Sequence, residues 1–181
     1  MNRLLSFAAT CAFSMALISA APTDDKAAVS KASAQAQFEQ LKKLAGEWSG
    51  KAGHDGAEFD ATVTYRVTSA GSTVMETLFG GTDHEMITMY HLNNDSLILT
   101  HYCALGNQPR MKAAISDDPK KMAFKFLDGT NLNPTKDPHM HEATIELVDN
   151  NHIRSAWTSY NEGKPMSTAK FDLKRKEAAA K

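Results

Sequence analysis

Only two cysteines occur in the 181 residues, and Cys11 sits within an apolar run near the start. Met1-Asn2-Arg3 supplies a short positive segment, Leu4 to Ile18 carries no charge, and Ser19-Ala20-Ala21 offers small residues for a peptidase. That order is the signature of an export leader, expected to be cut after Ala20. Cys11 is preceded by Thr10 inside the apolar run rather than placed at the cut, so lipid attachment is not expected. Cys103 is then left without a partner in the mature chain, which excludes an intramolecular disulfide despite an oxidising destination. A hydrophobic core must hold the fold alone.

Long apolar stretches are also missing. The leader run stops near 15 residues, short of the roughly 20 that a spanning helix needs, and no later stretch reaches that length. An excess of either charge is absent too: 20 Lys and Arg face 21 Asp and Glu, and loss of Arg3 with the leader takes the formal charge from −1 to −2. No nucleic acid partner and no anionic membrane is expected from that balance. The sequence holds no Gly-rich phosphate loop, no G-x-S-x-G elbow and no paired C-x-x-C, which removes the motif-borne nucleotide, hydrolase and redox classes.

What remains is strongly patterned. Residues 21–33 are mostly Ala, Lys, Ser, Asp and Thr with no aromatic, and read as a disordered tether. Phe38, Leu41, Leu44 and Ala45 fall at helical spacing, which predicts one short amphipathic helix over 34–44. After Gly46 the period becomes two. Phe59, Ala61, Val63, Tyr65 and Val67 alternate with Asp60, Thr62, Thr64, Arg66 and Thr68, the mark of a strand with one apolar and one wet face. Strands are expected near 46–53, 59–68, 72–79, 84–92, 97–104, 109–116, 121–128, 139–149, 152–161 and 165–175. Asn93-Asn94-Asp95-Ser96 and Asp149-Asn150-Asn151 are hairpin punctuation. Sequential hairpins make an up-and-down meander, and closing it into a barrel removes its exposed edges. A single domain over 34–175 follows, with Gly129 to Pro138 as a surface loop or lid and 176–181 as a frayed tail.

The stretch Phe38 to Trp48, with Gly46 and Trp48 as G-x-W and Lys42 or Lys43 upstream, resembles the opening signature of lipocalins and related calycins. The resemblance implies an all-β, antiparallel up-and-down calycin-like barrel of eight to ten strands with one short N-terminal helix. It also implies that Trp48 plugs one end and that an Arg from the last strand covers it. Ala169, Phe171, Leu173 and Arg175 share a face by alternation, which nominates Arg175 as a cation-π lid over Trp48. The likeness extends to small exported bacterial barrels without an assigned activity.

Candidate chemistry lies on the inner faces. A turn at Ala70-Gly71 would pair Val67 with Val74, Tyr65 with Glu76 and Val63 with Leu78. Glu76 would then be a carboxylate on an apolar face, needing Tyr65, a histidine or a ligand as donor; a one-residue bulge would turn it outward instead. His139 and His141 share the side of Ala143, Ile145 and Leu147, and His84, His91 and His101 lie on earlier hairpins with Glu76, Glu85 and Cys103 in reach. Such groups suit zinc or haem iron, but a hairpin about Asn94-Asp95 pairs Thr88 with His101, Met86 with Cys103 and His91 with Ile98, so these histidines do not all point inward. The ligand-lining set expected is Tyr65, Glu76, Met111, Phe124, Phe126, His139 and His141, with Phe59, Trp157 and Tyr160 nearby.

The leading expectation is an exported, periplasmic or secreted, non-enzymatic module that binds a small apolar or amphipathic molecule inside the barrel and needs no cofactor. Two other readings stand beside it: a metal- or haem-binding barrel using His139, His141 and a carboxylate, and a partner-binding barrel acting through its 129–138 loop.

Overall fold

A computed structural model describes residues 25–177. The expected leader and the tether residues 21–24 lie outside it, as do tail residues 178–181. The chain forms one helix, α1 (Asp25–Lys42), and ten strands: β1 (Gly46–His54), β2 (Ala57–Thr68), β3 (Thr73–Leu78), β4 (Met86–Asn93), β5 (Ser96–Tyr102), β6 (Gln108–Ala113), β7 (Lys121–Thr130), β8 (His139–Asp149), β9 (His152–Asn161) and β10 (Lys164–Arg175). Every strand pairs antiparallel with its sequence neighbours, and β1 pairs with β10 to close the barrel.

Strand ends shift by up to three residues from the sequence reading, and two differences matter most. The helix starts at Asp25 rather than at 34, so residues 25–33, expected as tether, are helical. Their Ala and Lys are strong helix formers that low hydrophobicity alone conceals. β4 begins at Met86, and its ladder with β5 opens at Ile87 and Tyr102; the expected Met86–Cys103 pair falls outside it, while Thr88–His101 and His91–Ile98 pair as expected.

The β2–β3 register is the anticipated one, with Val63 opposite Leu78, Tyr65 opposite Glu76 and Val67 opposite Val74. The turn itself is wider, a 3-10 segment at Ser69–Gly71 in which Ser69, Ala70 and Gly71 all take positive φ. Two tips not singled out in the sequence, Asp55-Gly56 and Glu162-Gly163, carry positive φ at both residues, the type I′ pattern that matches strand twist, and of the tips expected Asn94 takes φ 52.

The two ends of the barrel differ. α1 lies across β4 and β5, and its Phe38 and Leu41, with Leu44 just beyond, are buried with Trp48, Tyr90, Leu97, Leu99, Met111, Met122, Phe124, Ile145, Ile153 and Leu173 in one packed core. Each such side chain contributes roughly 1.5–3 kcal/mol of burial, so this end is a solid plug. Towards the opposite end the inner faces carry smaller groups, Ala52, Ala61, Ala169, Ser155 and Ser159. Gly50 belongs to the same trend for a second reason: a Cβ there would stand 2.1 Å from the carbonyl oxygen of Asp172, so β1 and β10 approach more closely than any side chain allows.

Candidate functional site: an end cavity floored by a polar row

The half of the barrel away from α1 holds an open-mouthed cavity of about 700 Å³, within the range of small-molecule sites. Leu78, Met86, Met140, Trp157, Ala169 and Phe171 form apolar wall; Phe59, Phe79, Thr82 and His84 stand towards the mouth. No Lys or Arg lines it.

Phe79 shapes the mouth at a conformational cost. It follows β3 at φ 55, a left-handed conformation unusual for a bulky residue, fixed by its N–H on Thr62 O at 3.1 Å and by Thr82 N–H on its own carbonyl at 3.2 Å. Its ring lies 6.0 Å from Phe59 and 6.3 Å from Phe171, joining three aromatic rings around the cavity.

Beneath the cavity a polar row crosses four strands. Tyr65 pairs with Glu76, Glu76 with Thr88, and Thr88 with His101, and all four are buried. Glu76 faces inward, so the bulge alternative is not realised, and its donors are phenols: Tyr65 Oη donates to Oε1 at 3.0 Å and Tyr90 Oη donates to Oε2. Burial pushes its carboxyl above the ordinary range, and the two phenols oppose that rise.

His101 ends the row and alone among the four lines the cavity. Its Nδ1 hydrogen-bonds Thr88 Oγ1 at 3.0 Å, and its ring lies 5.0 Å from Trp157. The opposite nitrogen, Nε2, is buried without a hydrogen-bond partner, an arrangement that costs free energy unless a ligand or water supplies one. Burial holds the imidazole down to about 4, so it is neutral near neutral pH.

The other expected ligand-lining residues sit elsewhere. Met111 and Phe124 are fully enclosed in the packed half, with Phe124 5.9 Å from Tyr90. His139 and His141 do not line the cavity, because a β-bulge between Met140 and Glu142 breaks the alternation and brings Met140 to the wall instead. Their rings form a separate cluster: His141 stacks on Tyr160 at 3.9 Å and on Phe126 at 4.9 Å. His139 Nδ1 donates to Asp137 O at 2.8 Å, and its Nε2 shares a hydrogen bond with His141 Nδ1 at 3.0 Å. Each histidine is thus occupied by the other, and burial followed by the neighbouring His139 lowers the His141 value. Among the described residues no group of three or more His, Cys, Asp or Glu stands together as a metal set. Burial pushes the Cys103 thiol up, away from a reactive thiolate. Gly129 and Thr130, expected as loop, end β7; the loop over 131–138 is pinned by Asn107 Nδ2 on Pro138 O at 2.9 Å and contributes nothing to the cavity wall.

At the plugged end the expected lid is present. The Arg175 guanidinium lies 4.3 Å from the Trp48 ring centroid, and the two residues pair across β1 and β10. Arg175 also donates to the carbonyls of Lys43, Ala45 and Asn150, while Trp48 Nε1 donates to Leu44 O at 2.8 Å. Gly46, at φ 130, leaves room for Arg175 Nη1, which a Cβ would meet at 3.0 Å.

Of the residues expected on the inner surface, Phe59 and Trp157 line the cavity; Phe79, Met86, Met140, Ala169 and Phe171 line it too and carry no ligand-site signal in the sequence. His101 was within reach of it: joining the Tyr65–Glu76 and Thr88–His101 pairs through β3–β4 yields the polar row.

No protein-family model and no curated protein matches the sequence. Among solved structures, a protein of unknown function from the DUF3598 family of Nostoc punctiforme aligns with a TM-score of 0.55 at 15% identity, over 75% of this chain and 48% of that one. Rv2717c from M. tuberculosis aligns with a TM-score of 0.54 at 16% identity, over 78% of this chain and 98% of that one. This chain therefore spans about half the length of the Nostoc protein. At such identities the likeness carries fold and nothing further. The chain is an all-β protein, a closed ten-stranded antiparallel barrel of calycin-like form with solved structural neighbours.

Proposed function

We propose that this barrel is a non-enzymatic binding module that shelters a small apolar or amphipathic molecule in its end cavity, and that its leader directs it out of the cytoplasm. The observation that carries the reading is the asymmetry of the interior. One half is packed solid under α1, and the other keeps about 700 Å³ behind an aromatic mouth. A barrel that merely supported its loops would gain by filling that space, since each buried methylene adds about 0.8 kcal/mol. The wall supplies apolar surface and the floor a single unsatisfied polar atom, the composition of a site that binds by burial and orients by one hydrogen bond. The paired His139 and His141, by contrast, hydrogen-bond each other and stand outside the cavity wall. Solvent extraction of the purified protein followed by mass spectrometry tests the reading: a compound recovered in stoichiometric amount and absent after cavity-filling Ala169→Trp supports it. Equal recovery from both proteins contradicts it.

A further inference from the structure

The polar floor narrows the chemistry of the guest. We propose that the cavity selects a neutral, hydroxyl-bearing apolar molecule whose hydroxyl hydrogen-bonds Nε2 of His101. This rests on the binding reading above and names the ligand class that reading leaves open.

Three observations support it. His101 is 3% exposed and lines the cavity, and its Nε2 finds no partner in the protein. Thr88 Oγ1 occupies Nδ1, so the ring is oriented and Nε2 is the nitrogen left without a partner. A threonine hydroxyl can donate or accept, which permits either imidazole tautomer, and Nε2 then accepts or donates accordingly. An alcohol or phenol is complementary to both states, because its oxygen also donates and accepts. A carbonyl matches one tautomer only.

Charge argues for neutrality. The wall contains no Lys or Arg, and Asp60 is the carboxylate that lines it. Asp60 is itself paired with Lys51 at 2.8 Å, on an exposed edge. His54 and His84 are exposed, and His54 Nε2 is engaged with Ser167 Oγ at 3.0 Å. An anionic guest would lose its hydration with no buried cation to replace it. A guest without any polar atom would leave Nε2 orphaned. The hydroxyl avoids both penalties.

Fluorescence titration near neutral pH with 1-hydroxypyrene and its near-isostere 1-methylpyrene provides the test. The ratio of the two affinities in the wild-type protein, divided by the ratio in His101→Phe, is expected to be about tenfold in favour of the hydroxyl, the size of one hydrogen bond to a buried group. His101→Gln, whose amide donates and accepts, is expected to restore part of that preference. 1-Methylpyrene affinity should change little across the three proteins, which also reports that each has folded. 1-Pyrenecarboxylate should bind more weakly than 1-methylpyrene. An unchanged ratio in His101→Phe overturns the role of His101 while leaving the binding barrel intact, and tighter binding of the carboxylate overturns the neutrality of the guest. Failure of the wild-type protein to bind either neutral probe removes the binding reading and this inference together.

Discussion

Acid should weaken this fold through His101, and the size of the effect follows from its burial. An unfolded chain protonates the imidazole near its ordinary value of 6.5, whereas the folded chain holds it down to about 4. Between those values the unfolded state binds the proton and the native state does not, so stability rises with pH across that window and is lost as pH falls through it. At about pH 4.5 the two titration curves differ by about 2–3 kcal/mol. Above about pH 7.5 the contribution vanishes, since both states are neutral. His101→Gln removes the titration while keeping a side chain able to reach Thr88. Urea unfolding of both proteins at the two pH values isolates the effect. Asp128, Glu142 and Asp172, held below the ordinary carboxylate range by their cationic partners, also lose stabilisation in acid, but they are common to both chains and cancel. His91 and His141, both lowered first by burial, cancel likewise. The wild-type protein should therefore lose about 2–3 kcal/mol more than the variant between the two pH values. Equal losses would show that the ring is already solvated or protonated in the folded state, and the cavity floor would have to be redrawn.

Other substitutions probe the remaining parts. Glu76→Leu should cost about 2–4 kcal/mol by leaving the Tyr65 and Tyr90 hydroxyls buried without an acceptor, while Glu76→Gln should cost less than half as much; denaturant midpoints separate the two. Arg175→Ala should destabilise by about 1–3 kcal/mol through the lost Trp48 face and carbonyl contacts, and Arg175→Lys should recover only part of it, measured by thermal or urea unfolding. Phe79→Gly should relieve about 1–2 kcal/mol of left-handed strain at the cost of ring contacts, and should speed both entry and release of 1-methylpyrene in stopped-flow fluorescence. Unchanged rates would place the entrance elsewhere.

Much of this architecture is legible in the residues. Period-two alternation and hairpin turns fix which residues face one another, so the Tyr65–Glu76 and Thr88–His101 pairs follow from spacing, as does the placement of Arg175 over Trp48. The bulge at His141 does not, since one extra residue in a strand leaves no compositional mark yet reverses every facing beyond it. The cavity wall is illegible for a different reason. Met111 and Met140 are equally apolar, and what separates a packed position from a wall position is which end α1 plugs, a tertiary fact outside any strand. The helix start at Asp25 is concealed by a composition that serves coil and helix alike.

The half-filled interior can be tested by methyl NMR on protein labelled at its methionines and titrated with 1-methylpyrene. Met86 and Met140 line the cavity, and Met111 and Met122 are sealed in the packed half. Saturable shifts confined to the Met86 and Met140 methyl groups are the predicted result. Shifts centred on Met111 and Met122, or no saturable shift at any of the four, would contradict it.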